Sequence, residues 1–117
     1  MSVIAIVLQV ILALGFFMFG LMKFGAKQMV DEFTRYGYPQ WFRVITGLLE
    51  VLASVSIFYG IWHEEWAVRG SLLMIVIMIG ALLTHIKLKD SFKSLFMPLL
   101  LLALAVVVLL INGSHLV

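Results

Sequence analysis

Apolar residues gather along this chain into four long runs, at about 3–22, 41–61, 70–86 and 95–111, and the charged residues fall mostly between them. Each run is close to the roughly 20 residues an α-helix needs to cross hydrocarbon. A transmembrane strand would instead alternate apolar and polar positions over about 10 residues. Leu99-Leu100-Leu101-Leu102-Ala103-Leu104 does not alternate. A segment in lipid must satisfy its own backbone hydrogen bonds, and a helix does so. The pattern predicts an all-α fold: one integral membrane domain over residues 1–117, built as an antiparallel bundle of four transmembrane helices. Gly37-Tyr38-Pro39 places a turn before the second spanning helix. The connection ahead of that helix, about 18 residues, has room for a short interfacial helix around Gly25–Phe33. The first run has no Lys or Arg before it and is long for a signal peptide, so it is expected to be a retained helix.

Composition sharpens this reading. Hydrophobic residues make up 64% of the 117 positions and charged residues 12%. A soluble domain this small could not bury so much apolar surface. A nucleic-acid partner is excluded, because the net charge is only +2 and the basic residues sit in short connections between apolar runs. There is no cysteine, which removes disulfides, thiol relays, iron–sulfur clusters and covalent haem attachment. The three histidines, His63, His85 and His115, have no metal-ligand spacing, so no metal site is expected.

Charge also sets an expected orientation. Lys23, Lys27, Arg35 and Arg43 border the first connection, Lys87, Lys89 and Lys93 the third, and only Arg69 lies in the second. By the positive-inside rule the first and third connections face the cytoplasm and both termini face outward, in a bacterial cytoplasmic membrane. Trp41 and Trp62 at the two ends of the second run, with Trp66 in the second connection, give the distribution of an interfacial aromatic belt.

Glu50 is the most informative residue. It lies nine positions after Trp41, about 13 Å into the bilayer at a helical rise of 1.5 Å. A carboxylate at that depth should face the bundle interior and have a partner. Arg43, Thr46, Gly47, Glu50 and Ser54 recur in steps of three and four, which places them on one face of the second helix. Lys23 at the end of the first helix and His85 near the end of the third fall in the same leaflet half. These residues are expected to form one polar cluster with Glu50 deepest. Lys23, Arg43, Thr46, Glu50, Ser54 and His85 are thus the candidates for ligand binding or proton exchange, while no catalytic residue can be named. Gln9, Ala13, Phe16 and Gly20 share a packing stripe on the first helix, and Met74, Met78 and Ala81 another on the third. The fourth run has no polar residue from Leu95 to Ile111 and is expected to meet lipid or another subunit and to contribute no chemistry, with Pro98 in its first turn. Adjacent Glu64 and Glu65 read as a solvated connection.

Gly20-x-x-Lys23, Gly37-Tyr38-Pro39, Gly47-x-x-Glu50 and Met78-x-x-Ala81-x-x-x-His85 with Asp90 after it resemble, in order and spacing, the DoxX-like family of small four-helix membrane proteins. The resemblance runs from about Phe17 to Leu110. It implies the four-helix fold and carries the family's recurrent Lys, Glu and His onto Lys23, Glu50 and His85. Members are associated with quinol oxidase and thiosulfate:quinone chemistry, with putative oxidoreductases and with oxidative stress. The resemblance therefore implies a protein accessory to a redox system that binds a quinone-like molecule in an inner-leaflet polar pocket. The same residues also fit an assembly or scaffolding protein with a protein partner or a second copy of the chain, its Lys/Glu cluster purely structural. A third reading is a proton-coupled small-molecule exporter; small multidrug transporters have this length, but place their essential Glu in the first helix, where this chain has no acid.

Overall fold

The computed structural model describes residues 3–113. His115 and both chain ends, with the expected outward placement of the termini, lie outside the described residues. Five helices follow in order: α1 (Val3–Lys23), α2 (Lys27–Tyr36), α3 (Gln40–Tyr59), α4 (Glu64–Lys87) and α5 (Phe92–Gly113). The four longer ones, α1, α3, α4 and α5, are long and apolar enough to cross a membrane. The short α2 occupies the first connection, as the interfacial helix was expected to, and runs on to Tyr36 where Phe33 was the expected end.

The spanning helices form a bundle in which α1 packs on α3, α3 on α4 and α4 on α5, with a lighter contact between α5 and α1. Neighbours run antiparallel. Gly20, near the end of α1, lies against Gly47 near the start of α3, whereas Gln9 farther back on α1 reaches the Ile57 carbonyl. The approach of α1 to α3 depends on small residues. A Cβ added at Gly20 would lie 2.8 Å from the Gly47 carbonyl oxygen. At the opposite end of the bundle, a Cβ on Gly60 would run into the Ala67 backbone nitrogen, so α3 and α4 converge there. Leu12, Phe16, Ile57, Met74 and Val108 fill the core between the helices. Leu14, Leu52, Val55, Val76, Leu83 and Leu110 stay half or more exposed on the outside. Such apolar cover is what a bilayer-facing surface requires.

Two expectations change at the helix starts. α4 begins at Glu64 where residue 70 was expected, because Glu64 and Glu65 suit the positive first turn of a helix. Trp66 therefore lies in the helix, with the Arg69 guanidinium 4.8 Å from its ring centre. α5 begins at Phe92, so Pro98 falls inside the helix and not in its first turn. There it withholds the N–H that the Ser94 carbonyl would otherwise receive.

Two helix ends shape the site described below. α2 stops at Gly37, whose φ of 80° is the left-handed conformation. The Gly37 N–H donates to the Thr34 carbonyl and the Tyr38 N–H to the Phe33 carbonyl. α4 ends in the same hydrogen-bonding pattern around Lys89, at φ 57°. The Lys89 N–H donates to Ile86 and the Asp90 N–H to the His85 carbonyl at 2.9 Å. Both are Schellman turns. One brings Tyr38 back against the bundle; the other brings Asp90 back beside His85.

Candidate functional site

Away from the close approach at Gly60, the bundle holds an open-sided cavity of about 830 Å³. That is within the range of small-molecule sites, roughly 300–1,000 Å³. Its walls come from all five helices: Phe16 and Phe19 of α1, Leu49 and Glu50 of α3, Met78 and Ala81 of α4. Met29, Phe33 and Tyr36 of α2 close the end nearest the first connection. Met97, Pro98 and Leu101 of α5 complete the lining. The last helix, expected to meet lipid or another subunit and to contribute no chemistry, thus also lines the cavity. It has no polar group to offer there, but its second and third turns form part of the wall.

One polar pole of the cavity lies in the middle of α3. The Lys23 ammonium is 3.0 Å from Glu50 Oε1 and donates to Oε2 at 3.1 Å. The Glu50 side chain is 3% exposed and that of Lys23 15%. Gly20 and Gly47 explain why the pair forms. With no side chains between them, α1 and α3 come close enough for Lys23 to fold back onto Glu50 one turn away. Arg43 lies behind this pair. It donates to the Lys23 carbonyl, which lacks a helical partner at the end of α1, and to Gln40 Oε1 at 2.8 Å.

The second pole lies at the last turn of α4. Tyr38 and Thr84 share a hydroxyl–hydroxyl hydrogen bond of 2.9 Å. His85 Nδ1 is 2.6 Å from Asp90 Oδ2. Arg35, on α2, donates from Nη1 to Asp90 Oδ1 at 2.9 Å and from Nη2 to Oδ2 at 3.1 Å. It also donates to Glu32 at 3.2 Å. The Arg35 guanidinium, followed by the His85 hydrogen bond, holds the Asp90 carboxyl at about 2, below the usual carboxylate range. The same contacts raise Arg35 further. Burial pushes the Tyr36 phenol up, helped by its hydrogen bond to the Glu32 carboxylate.

The six candidate residues therefore separate. Lys23, Glu50, Thr46 and His85 line the one cavity. The expected single cluster resolves into two poles, because Asp90 takes His85 as its partner. Arg43 is absorbed by the α1 carbonyl end. Thr46 spends its hydroxyl on the Phe42 carbonyl at 2.8 Å. Ser54 donates to the Val51 carbonyl of its own helix at 2.7 Å and borders a smaller cavity of about 170 Å³ with Ala13 and Phe17 of α1. Tyr38, Thr84, Arg35 and the α2 aromatics are site residues that the helical stripe could not reveal. Their signal lay in the connections: the Gly-Tyr-Pro turn and an acid five residues past His85.

The DoxX-like family model matches residues 7–108. A relative, the uncharacterized protein YdgD of Bacillus subtilis (strain 168), is 30% identical over 114 residues, covering 96% of this chain and 98% of that protein. No solved structure matches. Four apolar helices and a family match over most of its length make this chain an integral membrane protein of the DoxX-like family.

Proposed function

We propose that the protein is accessory to a redox or oxidative-stress system of the bacterial cytoplasmic membrane, and that it binds a quinone-like lipophilic molecule in the cavity. The observation that carries this reading is the cavity itself: an aromatic, largely apolar space with an ion pair in its wall. A flat apolar ligand would pack against Phe16, Phe19 and Phe42, and its carbonyl or hydroxyl groups would meet Lys23, Glu50 or the His85 pole. Such a combination of apolar walls with few polar groups is the usual make-up of a small-molecule site. With the basic connections facing the cytoplasm, this pocket opens toward the inner leaflet.

The test is mass spectrometry of small molecules retained by the protein in mild detergent, paired with a titration. Trp41 lines the cavity and Trp62 sits at the other end of α3. Chains retaining only one of these tryptophans report quenching by a short-chain benzoquinone. The expected result is saturable quenching of Trp41 but not of Trp62, with the affinity of the corresponding quinol, read as a competitor, falling about tenfold in Glu50→Gln, the loss of one charge-assisted hydrogen bond from its hydroxyl to the carboxylate. An empty protein with no saturable quenching rejects the reading.

One observation favours an assembly or scaffolding role. Lys23 and Glu50 satisfy each other, and among the described residues every buried side-chain polar atom has a partner. A polar cluster that needs no ligand can serve packing alone. That reading expects a specific protein partner and an empty cavity.

A further inference from the structure

We infer that Asp90 is the positioning residue of this cavity, aiming His85 at the bound molecule and holding α2 over the mouth. The inference rests on reading the cavity as a ligand site. Three features carry it.

The first is backbone. Asp90 reaches His85 only because the chain turns through a left-handed residue at Lys89. That conformation is unfavourable for a side chain larger than glycine or asparagine. The turn returns the Asp90 N–H to the His85 carbonyl at 2.9 Å, so backbone and carboxylate grip the same residue.

The second is the imidazole. A carboxylate accepts and does not donate, so the proton between the two groups belongs to Nδ1. In the neutral ring, Nε2 is then an acceptor; in the charged ring, it is a donor. Nε2 has no hydrogen bond among the described residues, and His85 borders the cavity. The nitrogen left for a ligand is therefore fixed by Asp90, as outer carboxylates fix the ring of a working histidine.

The third is α2. Its backbone packs on α3 and lightly on α1, and its attachment toward α4 runs through side chains. Arg35 clasps both Asp90 oxygens, and the Tyr36 ring stands edge-on to His85 at 5.9 Å. Met29, Phe33 and Tyr36 are cavity wall, so the clasp at Asp90 sets whether that wall is in place. One carboxylate thus links the polar pole of the site to its cover.

The test compares the full chain with Asp90→Asn and Asp90→Glu, in mild detergent. Imidazole ¹⁵N shifts, assigned with a His85→Asn variant, report the tautomer of the neutral ring without any ligand. Wild type should hold His85 as the Nδ1–H form, and Asp90→Asn should release it toward the Nε2–H form that imidazoles prefer in water. The quinol of the short-chain benzoquinone, whose hydroxyl can donate to Nε2, should displace the benzoquinone from Trp41 about tenfold less readily in Asp90→Asn, the size of one hydrogen bond. Asp90→Glu, which keeps the charge, should recover most of that loss. A wild-type tautomer or a wild-type affinity in Asp90→Asn overturns the inference. A wild type without saturable quenching removes the ligand reading itself, and the tautomer alone then decides whether Asp90 orients His85.

Discussion

The two ends of the bundle solve the burial of polar groups in opposite ways. Where α3 passes into α4, the polar groups are neutral and the helices touch. Gln9 donates to the Ile57 carbonyl at 3.1 Å and accepts from Asn112 at 3.2 Å, tying α1, α3 and α5 together. Gly60 lies against Ala67 and Gly70 against Ile57, leaving no room beside them. At the α2 end, the polar groups are charged and a cavity lies among the helices. The difference follows from side-chain size at the α3–α4 crossing. Glycine and alanine draw the pair together at one end, and the aromatic residues of α1, α2 and α3 occupy the rim at the other. A neutral amide pair can be buried dry at modest cost, because each group needs only hydrogen bonds. A buried ion pair also needs its charges balanced. The charged end is the one where chemistry can take place, and the neutral end is the clamp that holds it open.

The largest effect should come from unbalancing the charged end. Glu50→Leu leaves the Lys23 ammonium in the bundle without its carboxylate. Removing one partner of a buried pair costs about 3–5 kcal/mol. Replacing both, in Lys23→Met with Glu50→Leu, should return stability to within about 1–2 kcal/mol of wild type, since apolar substitutes for a buried pair are often neutral. Unfolding in mixed micelles measures both. If the double variant binds the benzoquinone as wild type does, the pair is structural and the charged end differs from the neutral one only in its packing.

Breaking the clamp should cost less. Gly60 has an ordinary helical φ of −65°, so alanine there is not strained by its own backbone. Its Cβ, however, would meet the Ala67 backbone, which cannot swing aside as a side chain does. Overpacking of this kind costs about 1–3 kcal/mol. Gly60→Ala should therefore unfold more easily while leaving the Lys23–Glu50 contact, at the far end, intact. Gly25, which has open space around it, is the control: its alanine variant should cause no such loss.

The same contrast decides what could be read from sequence. The spanning helices were legible because about 20 apolar residues in a row admit few other structures in lipid. Glu50 was legible because a carboxylate at that depth demands a partner, and Lys23 lay in the right leaflet half. The neutral clamp was only half visible. Gln9 stood out, but Asn112 sits one residue beyond the apolar run and looked like its end. The stripe from Arg43 to Ser54 named the correct face of α3. A stripe about three turns long meets more than one environment, however: α1 claims Arg43 and Ser54 at its ends, while Thr46 faces the cavity. His85 was found without its partner, because the Asp90 contact depends on a left-handed lysine that no periodicity announces. The cover formed by α2 was likewise hidden, since a short amphipathic helix is expected to lie on the membrane surface whether or not a cavity opens beneath it.

The smallest and most local effect should appear on acidification. The Asp90 carboxyl, at about 2 in the folded protein, lies below its ordinary value of 3.8 because Arg35 and His85 bind its charged form. A depressed carboxyl contributes stability above its unfolded value and loses it as pH falls toward the folded one. The clasp should therefore hold at neutral pH, weaken as pH drops below about 4 and be gone near 2. Lys87 and Lys89 flank the turn that carries Asp90, so loss of the Asp90 charge leaves the Arg35 guanidinium against a basic rim that pushes α2 outward. The chain has no native cysteine, so single spin labels can be placed cleanly. A label at Gln28→Cys on α2 should gain mobility through that pH window, while one at Trp62→Cys, at the clamped end, should not. Glu32 also contacts Arg35, so the Asp90→Asn background separates the two carboxylates. If the transition persists there, Glu32 owns it and the α2 end is held by its own helix. If it vanishes, a single carboxylate past the end of α4 holds the mobile end of the bundle shut.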